Sequence, residues 1–368
     1  MRILVATDAW HPQVNGVVRT YARLAQELER LGVELSVMAP NEFSTLPCPT
    51  YPEIRLAIPG WCHLARRFGT LKPDAVHVAT EGPIGWMVRS YCRRRSTPFT
   101  TSFHTRFPEY LERRLSIPPQ WTTATLRRFH NAGRGLMVAT PSLAHELGQQ
   151  GFERVMPWTR GVDIDLYRPR PVRHFGEGPV FLYVGRIATE KNIEAFLNLD
   201  LPGRKVVVGA GPNLAELTTR YPDALFTGEK TSEDLAQCYA SADVFVFPSR
   251  TDTFGMVLLE AMASGLPVAA FPSTGPIDIV TPGETGILSE DLRAAALSAQ
   301  HLNRERVRFK AAEYSWENAA GMFVANITTA CIDERNRAQQ LGSLGFAKST
   351  HRHWRPQPSA PPAHLGRS

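Results

Sequence analysis

Two carboxylates eight positions apart are the first residues whose spacing suggests chemistry. Asp252 and Glu260 lie in TDTFGMVLLEAM (251–262), where Glu260 follows four apolar residues. Glu260 could simply mark the point at which an amphipathic helix turns to solvent. The flanking segments favour another interpretation, because 243–250 is typical of a buried strand and 264–273 of a glycine-stopped helix followed by a second buried strand. In such a unit the helix N-terminus faces the ligand crevice, so both carboxylates are candidate ligand-binding residues.

Two cations, Arg186 and Lys191, follow a predicted strand in VGRIATEKN (184–192). A nucleotide-bearing anion in this crevice needs fixed cations and N–H donors beside its phosphate groups where no metal is present. Arg186 and Lys191 could meet this requirement. The same spacing also occurs in exposed surface pairs, so the local pattern leaves both interpretations open.

Two further candidates lie in the first half of the chain. Gly16, in NGVVRT (15–20), permits close backbone approach between a predicted strand and its helix, although it could equally be a turn glycine. His104, in TSFHTRF (101–107), ends a predicted buried strand and therefore points at the same crevice. A histidine at a strand end can also be a satisfied structural residue.

Predicted buried strands recur along the chain, and the segments between them are long enough to form helices. These strands and helices must position the candidate residues. A helix predicted over 17–31 makes the first unit β-α-β. Parallel strands with intervening helices predict an α/β fold of two Rossmann-like, doubly wound domains facing a central cleft. The first series of predicted strands is 2–8, 33–40, 74–80, 99–104 and 136–141, and the second is 179–186, 204–211, 224–228, 243–249 and 267–272.

The domain boundaries follow from composition. The segment 161–179 is rich in Pro, Gly and charge, which predicts a linker, and we place the first domain at 1–170 and the second at 171–313. The residues 314–337 are predicted to form a helix that packs back toward the first domain. The tail 338–368 is rich in Ser, Pro, His and Arg and is predicted to be disordered.

The composition is that of an ordinary globular protein. Its 368 residues are 43% hydrophobic and 21% charged, enough for two core-forming domains. The sequence contains no run of about 18 apolar residues, so no membrane span is predicted. Met1 leads into a predicted strand without a signal-peptide pattern, and we therefore expect a cytosolic location. The five cysteines form no C-x-x-C pair, which argues against a disulfide framework and a zinc site.

Charge is distributed unevenly. Residues 1–170 contain 22 Lys/Arg and 14 Asp/Glu, whereas the remainder contains 19 and 21. Basic residues that alternate with aromatic ones suit an anionic membrane surface or an acidic acceptor, although a solvated surface without a partner is an equal alternative. The residues of this predicted surface are Phe107, Tyr110, Arg113, Arg114, Trp121, Arg127, Arg128 and Phe129.

Together these segments resemble the retaining glycosyltransferases of family 4, which have the two-domain GT-B architecture, over residues 1 to about 330. The most specific part is the acidic-x7-Glu signature from Asp252 to Glu260. Most of the family has Glu at the first position, so Asp252 is a departure that shortens the reach of the carboxylate. The chain is most similar to the bacterial mannosyl-, glucosyl- and sulfoquinovosyl-transferases that often act on diacylglycerol lipids or glycans.

The resemblance implies roles for these residues. The first domain would bind the acceptor and the second the donor, Arg186 and Lys191 would hold the diphosphate, and His104 would lie beside the donor sugar. Asp252 would contact sugar hydroxyls, and Glu260 would accept hydrogen bonds from both ribose hydroxyls. The implied catalytic residues are His104, Arg186, Lys191 and Asp252, and the donor-binding residues are Gly16, Arg186, Lys191, Gly228, Asp252, Phe254, Gly255, Met256, Val257 and Glu260.

The implied reaction moves a hexose of the mannose or glucose type from a UDP- or GDP-sugar to a hydroxyl of a diacylglycerol-type lipid, with retention at the anomeric carbon. It would need no cofactor and no metal, and the enzyme would lie peripherally on the inner face of the cytoplasmic membrane, without a nucleic-acid partner. A soluble or lipid-linked glycan is the alternative acceptor. The alternatives from other classes are a nicotinamide-dependent oxidoreductase and an inactive protein that binds a sugar nucleotide or a nucleic acid.

Two motifs could mislead. The sequence DID (163–165) matches a manganese-binding D-x-D motif, but it lies in the predicted linker and not at the end of a buried strand. The sequence GAGPN (209–213) begins like a dinucleotide fingerprint, yet Leu214 stands where the third glycine belongs. We interpret the first as linker structure and the second as a turn near the nucleotide.

Overall fold

The computed structural model describes residues 1–13, 15–48, 51–58, 60–104 and 118–331, in which strands and helices alternate. The strands are β1 (Arg2–Ala6), β2 (Glu34–Met38), β3 (Thr45–Cys48), β4 (Tyr51–Ala57), β5 (Ala75–Val78), β6 (Phe99–Ser102), β7 (Gly135–Val138), β8 (Val155–Pro157), β9 (Val180–Val184), β10 (Arg204–Val208), β11 (Leu225–Phe226), β12 (Val244–Phe247), β13 (Val268–Ala270) and β14 (Gly286–Leu288).

Helices lie between most successive strands along the chain, as the crossover connections of parallel strands require. They are α1 (Gly16–Arg30), α2 (Trp61–Leu71), α3 (Pro83–Arg94), α4 (Pro119–His130), α5 (Pro141–Gln149), α6 (Glu194–Leu197), α7 (Leu214–Arg220), α8 (Ser232–Ala240), α9 (Met256–Ala263), α10 (Pro276–Ile279), α11 (Leu292–Ala299), α12 (Arg304–Ala311) and α13 (Trp316–Cys331). Short 3-10 helices span Pro40–Glu42 and Thr189–Lys191.

Two parallel sheets of six strands form the centres of the two domains. The first has the order β2-β1-β5-β6-β7-β8, and the second has the order β11-β10-β9-β12-β13-β14. The strand order reverses between β1 and β5 in the first sheet and between β9 and β12 in the second. Ligands of doubly wound folds bind at these reversal points, outside the carboxyl ends of the strands. The predicted architecture of two Rossmann-like domains is therefore confirmed.

Each of the ten predicted strands overlaps an observed one, because both faces of a parallel sheet are covered and its strands are continuous apolar runs. The helix predicted over 17–31 is α1, whose buried face includes Tyr21, Leu24 and Leu28. The prediction missed the antiparallel hairpin of β3 and β4 and the three-residue strands β8 and β14. The three-residue strands carry too little periodicity to be recognised.

The chain passes twice between the domains, and the two crossings pack against each other. Val162 donates its backbone N–H to the carbonyl of Tyr314 over 3.0 Å. A Cβ added to Gly161 would lie 2.4 Å from the backbone nitrogen of Trp316, so only glycine permits this approach. Helix α13 then packs against the first sheet, where Phe323 contacts the ring of Trp158 at a centroid distance of 5.0 Å.

The predicted linker lies on the second domain. Tyr167 and Phe175 belong to the core that also contains β9 and β12, and Arg173 pairs with Asp243 at 3.0 Å. The residues 332–337 of the predicted C-terminal helix and the tail 338–368 lie outside the described residues. Among the described residues, no helix combines the length and the apolar character that crossing a bilayer requires.

Candidate active site

The loop after β9 carries both predicted cations. Arg186 is partly buried, and its backbone carbonyl accepts a hydrogen bond of 2.8 Å from the hydroxyl of Tyr183. This loop lies directly on the loop after β10, since a Cβ on Gly209 would lie 1.9 Å from the carbonyl oxygen of Gly185 and one on Gly211 would lie 2.2 Å from that of Ile187. The glycines of GAGPN are thus required by close backbone packing under Arg186.

Lys191 and Asp252 meet at the reversal point of the second sheet. The ammonium group of Lys191 lies 2.5 Å from Oδ1 of Asp252, so the loops after β9 and β12 are joined by an ion pair. The second oxygen, Oδ2, is buried and has no hydrogen-bond partner among the described residues. A buried carboxylate oxygen without a donor costs about 1–3 kcal/mol, which a ligand hydroxyl at this position would offset. This oxygen is therefore oriented for a ligand.

Helix α9 begins beside this pair without a side-chain cap. Its N-cap residue is Gly255, which has φ +87°, a left-handed conformation that other residues rarely adopt. Phe254 is buried, and Met256 and Val257 form the first turn with partly exposed side chains. The uncapped N–H groups and the helix dipole make this end of α9 attractive to an anion.

Glu260 is buried and interacts with both domains. Its side chain is 4% exposed; Oε2 accepts a hydrogen bond of 2.9 Å from Tyr239, and Oε1 lies 3.4 Å from the guanidinium of Arg19, on α1 of the first domain. Burial raises the pKa of Glu260, although the Arg19 charge and the hydroxyls of Tyr239 and Tyr167 oppose that shift. The interpretation of Glu260 as a solvent-facing helical residue is therefore wrong.

Gly16 is the first residue of α1, at the reversal point of the first sheet. A Cβ built on Gly16 would meet no atom within 4 Å, so the protein itself does not require glycine there. The N–H groups of Val17 and Val18 both donate to Oδ1 of Asn15 over 3.0 Å. The predicted anion site at this helix end has open space, but two of its donors are already used by the Asn15 cap.

His104 lies between the two domains, with both ring nitrogens engaged by the protein. Arg160 is 3.2 Å from Nδ1, and the hydroxyl of Tyr21 is 3.1 Å from Nε2. The backbone carbonyl of His104 accepts a hydrogen bond of 2.8 Å from the hydroxyl of Thr253, in the donor-side loop that contains Asp252. A hydrogen bond from the ring to a sugar would require one of these partners to be exchanged.

Burial and the charge of Arg160 together keep His104 neutral. Burial lowers the pKa of Arg160 to about 10, so the guanidinium stays charged at neutral pH. Burial and this charge hold the pKa of His104 well below its usual range. Because Arg160 can only donate, Nδ1 of the neutral imidazole is the acceptor and Nε2 carries the proton. His104 is therefore a neutral hydrogen-bond donor toward Tyr21.

Gly228 lies just beyond β11 in a left-handed conformation, with φ +74°. Its carbonyl accepts a hydrogen bond of 2.9 Å from the backbone N–H of Gly209, so this segment adjoins the glycine loop after β10. A Cβ on Gly228 would meet no atom within 4 Å. The predicted role of Gly228 in donor binding stays a prediction.

The structure thus gathers the predicted residues at facing edges of two sheets. Arg186, Lys191, Asp252, the start of α9 and Glu260 surround the reversal point of the second sheet, and Gly16 and His104 face them from the first. A further contact joins the domains where Asp278 on α10 accepts hydrogen bonds from the backbone N–H and the hydroxyl of Ser142, at the start of α5.

The D-x-D sequence serves the connection between the domains. Oδ1 of Asp163 accepts hydrogen bonds from the backbone N–H groups of Asp165 and Leu166, at 3.2 and 3.0 Å. Its Oδ2 lies 3.5 Å from the guanidinium of Arg23 on α1. No group of three or more potential metal ligands occurs within the described residues.

Sequence reasoning missed three residues of this site. Arg19 and Arg160 are cations that approach predicted site residues, and Tyr239 donates to Glu260. Arg19 stands in NGVVRT, and its position on the first turn of α1 could have suggested a role in the cleft. Arg160 and Tyr239 give no such signal, because their partners are 56 and 21 positions away and their local sequence is ordinary.

Comparisons with known proteins agree with this geometry. Residues 14–166 match the family model described as Glycosyltransferase Family 4, and residues 178–304 match Glycosyl transferases group 1. A GDP-mannose-dependent alpha-mannosyltransferase of Mycobacterium tuberculosis is 30% identical over 84% of this chain and 90% of its own length. The chain belongs to glycosyltransferase family 4.

Other relatives and structures extend the comparison. The corresponding GDP-mannose-dependent enzyme of Mycolicibacterium smegmatis is 32% identical over 84% of the chain and 90% of its own length. The alpha-monoglucosyldiacylglycerol synthase of Streptococcus pneumoniae is 25% identical over 86% and 83%. Sucrose-phosphate synthase from Thermosynechococcus elongatus superposes with a TM-score of 0.69 at 19% identity, covering 88% of this chain and 97% of that one, and confirms the GT-B fold.

Membership of the family decides between the classes that the sequence had left open. The protein is a glycosyltransferase that moves a hexose from a nucleotide sugar. The oxidoreductase and the inactive binding protein are therefore wrong. The glycines of GAGPN, which suggested a dinucleotide fingerprint, are explained by the packing of two loops in the donor domain of this glycosyltransferase.

Proposed function

We propose that this glycosyltransferase moves mannose from GDP-mannose to a hydroxyl of a lipid acceptor, with retention at the anomeric carbon. The observation that carries the donor site is the buried, unpaired Oδ2 of Asp252 beside Lys191 and the uncapped start of α9. Oδ2 of Asp252 can accept a hydrogen bond from a sugar hydroxyl, and Lys191 lies beside it as a cation. The free N–H groups at the N-terminus of α9 can bind phosphate. The two mycobacterial relatives, whose names specify GDP-mannose and alpha-mannosyl transfer, support the choice of sugar and donor.

In the proposed reaction the bond between the anomeric carbon and the diphosphate oxygen breaks while the acceptor oxygen bonds to the same carbon from the same face. The acceptor proton passes to the departing phosphate oxygen, so no protein nucleophile is required. Arg186, Lys191 and the N-terminus of α9 stabilise the negative charge that develops on the diphosphate. Asp252 and the His104 region orient the sugar, and Glu260 binds the ribose after Arg19 or Tyr239 yields one of its hydrogen bonds.

No metal enters this proposal, because the cations and the start of α9 supply the positive charge that the leaving group needs. Asp163, the first residue of the D-x-D sequence, is occupied by two backbone N–H groups and by Arg23. Its carboxylate is part of the connection between the domains. Turnover in excess EDTA should therefore match turnover in its absence.

A lipid acceptor is supported by an exposed apolar face on the first domain. Leu46 on β3 is 58% exposed and Ile58, directly after β4, is 56% exposed, and Trp61 at the start of α2 is also exposed. The guanidinium of Arg94 stacks on Trp61 at 4.8 Å. We name Leu46, Ile58 and Trp61 the hairpin patch. Its exposed apolar side chains beside arginine suit the headgroup region of an anionic membrane.

The membrane surface predicted from sequence is partly wrong. Phe129 is fully buried against Trp86, at a ring-centroid distance of 4.9 Å, because it lies on the core face of α4. Trp121 is 72% exposed, and Arg127 and Arg128 are exposed, so these three residues remain available to a membrane. Phe107, Tyr110, Arg113 and Arg114 lie outside the described residues.

The donor is tested by thermal shift with GDP-mannose and UDP-glucose at equal concentrations, because a ligand that binds only the folded state raises the melting temperature. GDP-mannose at 100 times its Kd should stabilise the protein by about 2.7 kcal/mol, and UDP-glucose by less. When the enzyme is incubated with radiolabelled GDP-mannose and a lipid extract, it should transfer mannose to lipid and form an α-linked product. A larger shift with UDP-glucose would contradict the donor, and a β-linked product would contradict retention.

A further inference from the structure

Glu81 and His130 form a buried pair at the carboxyl edge of the first sheet that the donor site does not use. Nε2 of His130 lies 3.0 Å from Oε1 of Glu81, and Nδ1 lies 2.9 Å from the hydroxyl of Thr101. A carboxylate only accepts hydrogen bonds, so Nε2 is the donor to Glu81. The side chain of His130 has no exposed area, whereas that of Glu81 retains 4%, so the part of the pair that reaches the surface belongs to Glu81.

The position of Glu81 follows from the register of the sheet. Strands β5 and β6 are parallel neighbours in which Val78 lies opposite Thr101. Glu81 and His104 each stand three residues beyond these partners, so they occupy equivalent positions on adjacent strand ends, which are about 5 Å apart in a sheet. The second domain contacts this edge where the hydroxyl of Thr253 binds the carbonyl of His104. Glu81 therefore lies one strand away from the loop that carries Asp252.

Hydrogen bonding leaves Glu81 with capacity for a ligand. Its Oε2 bonds to none of the described residues, whereas the neighbouring carboxylate of Asp8 is fully used by the hydroxyl of Thr80 and the backbone N–H groups of Ile84 and Gly85. Asp8 is thus a cap for α3, and Glu81 is not. A nearly buried carboxylate held in one orientation by His130 is suited to accept a hydrogen bond from a hydroxyl in the cleft.

We propose that Glu81 binds the acceptor through a hydroxyl other than the one that receives the sugar, and that the acceptor headgroup is therefore a neutral polyol, such as a glycolipid sugar, and not a single-hydroxyl lipid. The reacting hydroxyl gives its proton to the departing phosphate, so it has none to share with Glu81. The carboxylate also repels an acceptor phosphate. This inference rests on the proposed transfer reaction and does not depend on the lipid tail.

Two soluble probes separate the polyol from the tail: octyl β-glucoside below its critical micelle concentration, and 1-octanol. The wild-type enzyme with GDP-mannose should have a clear preference for octyl glucoside. Glu81→Gln keeps an oxygen for His130 but places an amide NH2 where Oε2 stands, so kcat/KM for octyl glucoside should fall about 10- to 100-fold. The affinity for GDP and the melting temperature should stay near wild type.

Two variants guard against a purely structural effect. Glu27→Gln changes another buried carboxylate of the first domain, 6% exposed and paired with Arg30, and should leave transfer to octyl glucoside unchanged. Thr101→Val removes the hydroxyl that orients His130. It should reduce the preference for octyl glucoside over 1-octanol, but less than Glu81→Gln does. A role in folding alone predicts instead that Glu81→Gln lowers the melting temperature and the GDP affinity together.

Binding of octyl glucoside to the GDP complex, measured by saturation-transfer NMR, separates this inference from the proposed function. If octyl glucoside binds to wild type but not to Glu81→Gln, and no mannose is transferred to it, the proposed reaction is contradicted and the acceptor site is supported. Equal binding by wild type and Glu81→Gln would overturn the acceptor site, as would equal use of octyl glucoside and 1-octanol by the wild-type enzyme.

Discussion

At the scale of single residues, the donor site depends on carboxylates that are held by cations. Lys191 neutralises one oxygen of Asp252, and Arg19 approaches one oxygen of Glu260 from the other domain. Each carboxylate would otherwise be an uncompensated charge in a site that must also bind an anionic diphosphate. The pairing explains how one cleft can hold both acidic sugar-binding groups and a phosphate.

Lys191→Ala should reduce kcat/KM for mannosyl transfer by about 100-fold or more, equivalent to about 3 kcal/mol of transition-state stabilisation, because it removes a cation beside the leaving group. Lys310→Ala is the matched control, since Lys310 is 33% exposed and pairs with Glu313, much as Lys191 is 28% exposed and pairs with Asp252. Steady-state kinetics on both variants tests this. Near-normal turnover by Lys191→Ala would remove the lysine from the site.

Glu260→Gln should weaken GDP binding without lowering the melting temperature at neutral pH. Burial raises the folded-state pKa of Glu260 above its ordinary value of 4.5, so the folded protein holds this proton more tightly than the unfolded chain. The contribution of Glu260 to stability therefore falls as pH rises from about 4.5 through the raised pKa. The variant lacks this loss, so its stability relative to wild type should increase across that window.

Urea unfolding of both proteins between pH 4 and pH 8 measures this difference, and calorimetric titration with GDP measures the affinity. If the stability of the variant relative to wild type instead decreases as pH rises, the interactions of ionised Glu260 with Arg19 and Tyr239 outweigh the free-energy cost of burying its charge. Unchanged GDP affinity would exclude Glu260 from the nucleotide site.

At the scale of elements, the N-termini of α1 and α9 have different capping, although both face the cleft. Asn15 caps α1 with two hydrogen bonds, whereas α9 starts at Gly255 without a side-chain cap. A capped helix retains its dipole but has fewer free N–H donors. We therefore expect the phosphate groups to bind mainly at α9, and Gly16 to provide space rather than donors.

Gly16→Ala tests the need for that space. The added methyl group meets no protein atom within 4 Å, and alanine is the better helix former, so stability should be unchanged or higher by up to about 1 kcal/mol. Donor affinity should nevertheless fall about tenfold, since the methyl group would occupy the region of closest approach to the ligand. Gly148→Ala on α5, where an added Cβ is equally free of contacts, is the control.

Thermal unfolding and titration with GDP-mannose give both quantities for each variant. Wild-type affinity in Gly16→Ala would show that Gly16 is only a turn glycine. A loss of affinity that also appears in Gly148→Ala would point to a general effect on the first domain.

At the scale of the whole molecule, direct contacts hold the two domains together around the cleft. Thr253 binds the carbonyl of His104, Arg19 pairs with Glu260, and Asp278 caps α5 of the other domain. The two chain crossings pack closely at Gly161 and Trp316, so both connections between the domains lie side by side. Opening of the cleft for donor entry or product release would require these polar contacts to break.

The uneven charge and the hairpin patch predict reversible binding to anionic membranes. Each basic residue near such a surface contributes on the order of 1 kcal/mol, screened over about 8 Å at physiological salt. The protein should co-sediment with vesicles containing anionic lipid at low salt and be released at high salt. Replacing Leu46, Ile58 and Trp61 together by Ser should abolish most of this binding.

Trp121→Ser is the matched control for an exposed aromatic residue outside the hairpin patch. If Trp121→Ser lowers vesicle binding more than the triple variant does, the membrane-facing surface is the one predicted from sequence around α4. Equal sedimentation with neutral vesicles, or none with anionic ones, would contradict the membrane assignment and favour a soluble glycan acceptor.

The sequence by itself determined the class of fold and which loops meet. Continuous apolar runs mark strands of parallel sheets, and the carboxyl ends of such strands lie at one edge. Arg186, His104 and Asp252 could therefore be assigned to a common cleft before any contact was known. The separation of Asp252 from Glu260 was informative because both lie in one strand–loop–helix unit, where local geometry sets their relation.

Only the tertiary structure decided which partners these residues have. Arg19 and Glu260 are 241 positions apart, and Arg160 and His104 are 56 positions apart, so no local pattern connects them. Periodicity also could not place Phe129 in the core or Glu260 away from solvent, because an amphipathic pattern does not say which neighbouring element covers each face. Charge pairing and burial depend on the packing of distant segments, and a single sequence does not encode that packing in any local signal.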